Sequence, residues 1–179
     1  MRDVTAAAAW LNAQPFIKHG KIATWGAGFG ANAAFITSSL EQLSAAVCFY
    51  PTHIATALPS GGPEPLSHAG EVKIPLLVIY GEEDYYVPRN DMERIRETLT
   101  RANKEIKMQI YPDVGHSFFR HGRPEAIAEQ NRYSDEAIAQ AVADSWGLVK
   151  AFLADAFNRP PRHAVETGDI RTERREPVR

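Results

Sequence analysis

The stretch GAGFG, residues 26–30, joins a short apolar run to a helix-forming run. Its pattern is G-x-Nu-x-G, a sharp strand-to-helix turn whose middle residue carries an attacking side chain. The middle residue here is Gly28, which has none. Two other residues able to do chemistry also follow apolar, strand-like runs: Asp84 in GEEDYYVP and His116 in PDVGHSFF. Nucleophile, acid and base in that chain order describe a triad for acyl transfer, in which the carboxylate orients and charge-stabilises the imidazole. Alone, Asp84 reads as part of a solvated acidic turn and His116 as a structural hydrogen-bonder. Their joint placement after the elbow favours triad-derived positions, which predicts side chains within hydrogen-bond reach at the ends of neighbouring strands.

Arg120 lies four residues past His116 and is suited to pairing with a ligand carboxylate. It reads equally as a surface arginine of the polar stretch RHGRPEAIAEQNR. Cys48, inside SAAVCFY, reads as an inert buried thiol rather than a displaced nucleophile.

The elements that must hold these residues alternate. Residues 3–13 carry Val4, Ala7, Ala8 and Leu11 on one helical face, with Pro15 as a stop. A strand over 21–25 precedes the glycines, and the helix after them ends near residue 41. Residues 44–50 form a second apolar run, and 52–70, rich in proline and glycine, reads as a loop with little regular structure. IPLLVIY, 74–80, is the strongest strand, with a turn over 81–84. Residues 90–102 place Met92, Ile95 and Leu99 on one stripe, and 106–111 form a last strand. Over 134–157 a long helix carries Ile138, Val142, Trp146, Val149 and Phe152 at helical spacing. Apolar strands separated by helices predict an α/β fold with a parallel sheet of about four strands covered on both faces. In such sheets chemistry collects at the carboxyl ends of the strands.

With 179 residues the chain can bury one sizeable core, read as a domain over 1–158, and residues 159–179 are too polar to pack and read as a disordered tail. The composition, 44% hydrophobic and 23% charged, is that of an ordinary globular protein. A net charge of −2 offers no field for nucleic acid or an anionic membrane, and no apolar run has the length to span a bilayer. The expected location is the cytoplasm. No pair of histidines or cysteines has metal-ligand spacing, and no cofactor is expected.

The three turns together resemble those of the dienelactone hydrolase (carboxymethylenebutenolidase) family of α/β-hydrolases over about residues 3–157. The family carries an elbow G-x-C-x-G-G, a turn G-x-x-D-x-x-V-P and a turn H-[GS]-F; residues 81–88 and 116–118 match the last two. The resemblance implies a partial α/β-hydrolase fold whose first strands are absent, Asp84 and His116 as triad members, and Arg120 as a substrate-carboxylate contact. It places the family's cysteine at Gly28 and its last elbow glycine at Ala31. Of the two oxyanion donors it leaves the Phe29 backbone N–H. It therefore implies a relative of enzymes that hydrolyse small carboxylate-bearing lactones or esters, inactive or impaired for want of a nucleophile.

Two rival readings stand beside it. One is a non-catalytic scaffold that binds a small carboxylate or depends on a partner. The other takes residues 26–31 as the dinucleotide fingerprint G-x-G-x-x-[G/A], but VCFYPT lacks the acidic residue that would hold a ribose. If the first strands are absent, the strand over 21–25 is an unblunted sheet edge, which predicts a homodimer or a second polypeptide paired there.

Overall fold

The computed structural model describes residues 1–57, 61–102, 105–120 and 132–159, with Arg120 described for its backbone alone. Helix α1 spans Arg2–Asn12 and strand β1 Ala23–Ala27. Helix α2 (Phe29–Thr37) leads to β2 (Ala45–Phe49), and a 3-10 helix (Pro65–Glu71) leads to β3 (Leu76–Glu83). Helix α3 (Arg89–Arg101) precedes β4 (Ile106–Gly115), a 3-10 turn covers Phe118–Arg120, and α4 runs over Asp135–Asn158.

The four strands form one parallel sheet in chain order, β1-β2-β3-β4. Every residue of β2 is buried, as is the apolar first part of β3, which is why these segments are continuous apolar runs rather than alternating ones. Strands added in one direction through right-handed crossovers put all the crossovers on one face. In keeping with that, the first 3-10 helix packs against both α2 and α3, and α4 packs on β2, β3 and β4. Ser134 caps α4, its hydroxyl accepting the Ala137 N–H at 3.1 Å. Asp135 and Glu136 in the first turn favour the positive end of the helix dipole.

The structure corrects several element boundaries. Helix α2 stops at Thr37 rather than near 41, because the hydroxyls of Ser38 and Ser39 bond back to the carbonyls of Phe35 and Ile36. The segment 52–70 is not all loop: it ends in the 3-10 helix, whose Leu66 and Ala69 enter the core. On α4 the buried stripe is Ile138, Ala141, Ser145, Val149, Phe152 and Ala156. Trp146 falls beside that stripe, remains 44% exposed, and sets its ring 5.1 Å from that of Phe119.

The largest correction is at the carboxyl ends of β3 and β4. Both strands run on through the turn signals, to Glu83 and Gly115. Their register pairs Gly81 with Tyr111 but Glu83 with Gly115, so β4 carries two extra residues in a bulge. Pro112 and Asp113 are exposed there, and Asp113 takes a positive φ of 56°. Bulges re-aim the side chains that follow them. This one brings residue 116 level with residue 84.

Strand β1 is outermost, and among the described residues no strand pairs with its outer edge. Two residues before it, Lys21 donates from Nζ to the carbonyls of Phe157 and Arg159, tying the end of α4 to the approach to β1.

Candidate active site

The elbow forms as a strand-to-helix turn. Gly28 has φ 56° and ψ −122°, a conformation that strains any residue with a side chain. Its N–H donates to the Phe49 carbonyl at 3.0 Å, which fixes the turn to the end of β2. A Cβ built on Gly28 meets no described atom within 4 Å, so the position faces open space. Gly26 is the opposite case: a Cβ there would overlap the backbone carbonyl of Gly30. The tight turn therefore needs glycine at 26. Gly26→Ala should lower stability by about 1–3 kcal/mol, the usual cost of overpacking. Gly30→Ala, with no described atom within 4 Å of the added carbon, should not. Urea midpoints of the two variants check this, and equal midpoints would contradict it.

Asp84 and His116 meet. His116 Nδ1 and Asp84 Oδ2 are 2.8 Å apart, with the aspartate side chain fully buried and the histidine 9% exposed. The other carboxylate oxygen, Oδ1, accepts the backbone N–H groups of Tyr86 at 2.9 Å and Val87 at 3.2 Å. A buried carboxylate needs such donors, and three offset the loss of water around it. Because Nδ1–H faces the carboxylate, the neutral imidazole keeps its lone pair on Nε2, the nitrogen that can act as a base.

Three tyrosine rings surround the imidazole. The centroid of Tyr50 lies 4.9 Å from that of His116, Tyr86 4.6 Å and Tyr85 6.3 Å, all with steeply tilted planes. Tyr50 is buried and holds φ at 38°, and Ser117, next to the histidine, holds 60°. Both are unusual for residues with a side chain, and such strain gathers at functional sites. Sequence reasoning did not single out Tyr50. Its only local signal is its place between an apolar run and Pro51, at a strand's carboxyl end. Asn32 was missed as well: buried in α2, it donates to the carbonyls of Thr52 and His53 and anchors the loop after β2.

Phe29 begins α2, and its side chain is 69% exposed beside the elbow. Its backbone N–H is among the first donors of a helix, where developing negative charge is favoured. The backbone of Arg120 closes the 3-10 turn after the histidine, and its side chain lies outside what the structure describes. Cys48 is fully buried in β2, and burial pushes its thiol far above the ordinary range. It is not a displaced nucleophile.

Among the described residues no three His, Cys, Asp or Glu side chains gather to hold a metal ion. No described helix is long and apolar enough to cross a membrane.

The arrangement is thus an acid–base pair and an elbow without an attacking atom. Comparison with known proteins bears on the family and the fold. The model of the family described as "Dienelactone hydrolase family" matches residues 1–157. A Synechocystis sp. protein named "Putative carboxymethylenebutenolidase" is 28% identical over 150 residues, covering 84% of this chain and 56% of that protein. A solved structure titled "Putative Dienelactone Hydrolase", from Klebsiella pneumoniae, superposes with a TM-score of 0.70 at 24% identity, over 85% of this chain and 59% of that one. An esterase of Pyrococcus furiosus gives 0.63 at 19% identity, over 86% and 60%. The chain therefore spans somewhat more than half the length of these relatives.

Proposed function

Because the chain belongs to the dienelactone hydrolase family, we propose that its carboxyl-end site derives from an acyl-transfer triad that has kept its acid–base pair and lost its covalent step. In this reading Asp84 holds and charge-stabilises His116, Phe29 N–H is an oxyanion donor, and Gly28 stands where the nucleophile was. The ligand class is a small carboxylate-bearing ester or lactone, with Arg120 as the contact to the free carboxylate. The supporting observation is the contrast within one site. The 2.8 Å contact from His116 to the buried, three-times-bonded Asp84 is intact, while the turn beside it has an elbow conformation and no side chain. Covalent acyl transfer needs a heteroatom at that point.

Incubation with an activated ester such as 4-nitrophenyl acetate should leave the intact mass of the chain unchanged. An acetyl adduct that disappears in His116→Ala would overturn the reading, because it would reveal a nucleophile served by the histidine.

A second reading is a non-catalytic site that holds a small carboxylate between Arg120 and the tyrosines. The half-exposed, mutually stacked rings of Tyr85 and Tyr86, 4.2 Å apart beside His116, favour it. We also propose that the outer edge of β1 pairs with another strand.

A further inference from the structure

We infer that the site hydrolyses activated esters without an acyl-enzyme, with water as the nucleophile and His116 as its general base. The inference rests on the triad-derived reading above and goes beyond it, because that reading assigns no turnover.

Three observations carry it. The first is that the base is complete: Asp84 is buried, bonded to two backbone N–H groups, and 2.8 Å from Nδ1. That contact selects the tautomer whose Nε2 lone pair can take a proton. The second is that the place vacated by a nucleophile is open. No described atom lies within 4 Å of where the Gly28 Cβ would stand, so none of the described side chains fills the position. The third is that the elbow backbone is held in its turn: Gly28 N–H bonds to Phe49, and Ala31 N–H to the Gly28 carbonyl at 3.1 Å. The Phe29 N–H is therefore presented at the helix start rather than lost in a collapsed loop. An elbow with φ 56° and ψ −122° costs glycine little, so the geometry survives without the residue it normally strains.

The step balances without any other reactant. His116 Nε2 takes a proton from water as the water oxygen bonds to the ester carbonyl carbon. The carbonyl π pair moves onto its oxygen, which faces the Phe29 N–H. As the tetrahedral species collapses, the bond to the alkoxy or aryloxy oxygen breaks, and the proton on His116 passes to that oxygen, or to solvent where the leaving group departs as a stable anion. Acid and alcohol leave, and nothing stays on the chain. The substrate class is a small ester or lactone with a good leaving group, since a single general base and one oxyanion donor supply only part of a triad's acceleration.

The 179-residue chain is to be assayed with 4-nitrophenyl acetate. The expected result is 4-nitrophenolate release that is linear from mixing, faster than in matched buffer, and accompanied by an unmodified intact mass. It should show a solvent deuterium isotope effect clearly above unity and fall by about 10²-fold, the lower end of general-base effects, in His116→Ala. Gly28→Ala, which places a methyl in the open space, should also slow it. Because loss of the histidine also frees a buried carboxylate, His116→Gln with a matched circular dichroism spectrum serves as a second variant. Release no faster than buffer, an isotope effect of unity, or a rate unchanged in folded His116→Gln overturns the inference and leaves the triad-derived reading standing. An initial burst with a His116-dependent acetyl adduct overturns both.

Discussion

Gly28→Cys should give a chain that is acetylated on the new thiol by 4-nitrophenyl acetate, where the unchanged chain carries no adduct. The elbow already has the backbone it needs, and the space over residue 28 is open. A thiol there would stand at the start of α2, and helix N-termini lower thiol pKa values and favour the thiolate. The histidine supplies a base for what remains protonated. The existing cysteine is no competitor, since Cys48 is buried and held as a thiol. Cost enters through the backbone: a side chain at φ 56° should strain the fold by roughly 1–3 kcal/mol. The melting temperature should drop accordingly, by about 2–4 °C per kcal/mol for a chain of this size. Peptide mapping after brief exposure to the ester reads the result. A folded Gly28→Cys chain that is not labelled at residue 28, or is labelled equally when His116→Ala is added, would show that the pair does not serve this position.

In dilute solution the isolated chain should self-associate through β1. Gly28 N–H points inward to Phe49, and alternation along a strand turns the N–H groups of residues 23, 25 and 27 outward. Five residues, ATWGA, thus offer a short open ladder with no proline or bulge in it, and Trp25 stays 50% exposed although its ring packs 5.7 Å from that of Phe49. Two copies can satisfy the ladder by antiparallel pairing about a twofold axis. Light scattering over a wide concentration range should give a mass above 19.8 kDa that falls on dilution. Trp25→Lys, which puts a charge on the edge, should shift the chain toward monomer. A monomer at every concentration, with or without the substitution, would sink the idea.

Much of this fold was legible because its two central strands are buried on both faces. Apolar runs such as AAVCF and LLVIY stand out without any help from neighbours. Asp84 and His116 were legible because each follows a strand-like run, and their pairing was expected from those matched turns together with their order after the elbow. What stayed hidden depended on long-range contacts. Gly81 and Pro112 read locally as turn formers, yet parallel pairing carries both strands through them. Leu66 and Ala69 sit among prolines and glycines, and only the core they fill marks a helix there. Tyr50 announces little beyond its place at a strand's carboxyl end, because its role is set by a ring that comes from 66 residues further along. Trp146 missed the core by one position, since helical spacing admits two neighbouring stripes and sequence spacing does not choose between them.

The bulge in β4 also has a consequence for how this chain can change length. Side chains alternate along a strand, so an insertion or deletion acts according to whether it is odd or even. The offset between β3 and β4 steps from 30 at Gly81 and Tyr111 to 32 at Glu83 and Gly115, an even step. Parity is therefore conserved across the bulge, and His116 emerges on the side that the unbulged ladder would have assigned. Loss of one residue between Tyr111 and Gly115 would reverse that parity and turn the imidazole toward the opposite face. Loss of two would restore a flush ladder with the parity intact and leave the imidazole level with Asp84, since the offset of 32 would fall back to 30 as the histidine moved up by two. The pair thus tolerates an even shortening of this segment and not an odd one, so the bulge can be lost whole but not by halves.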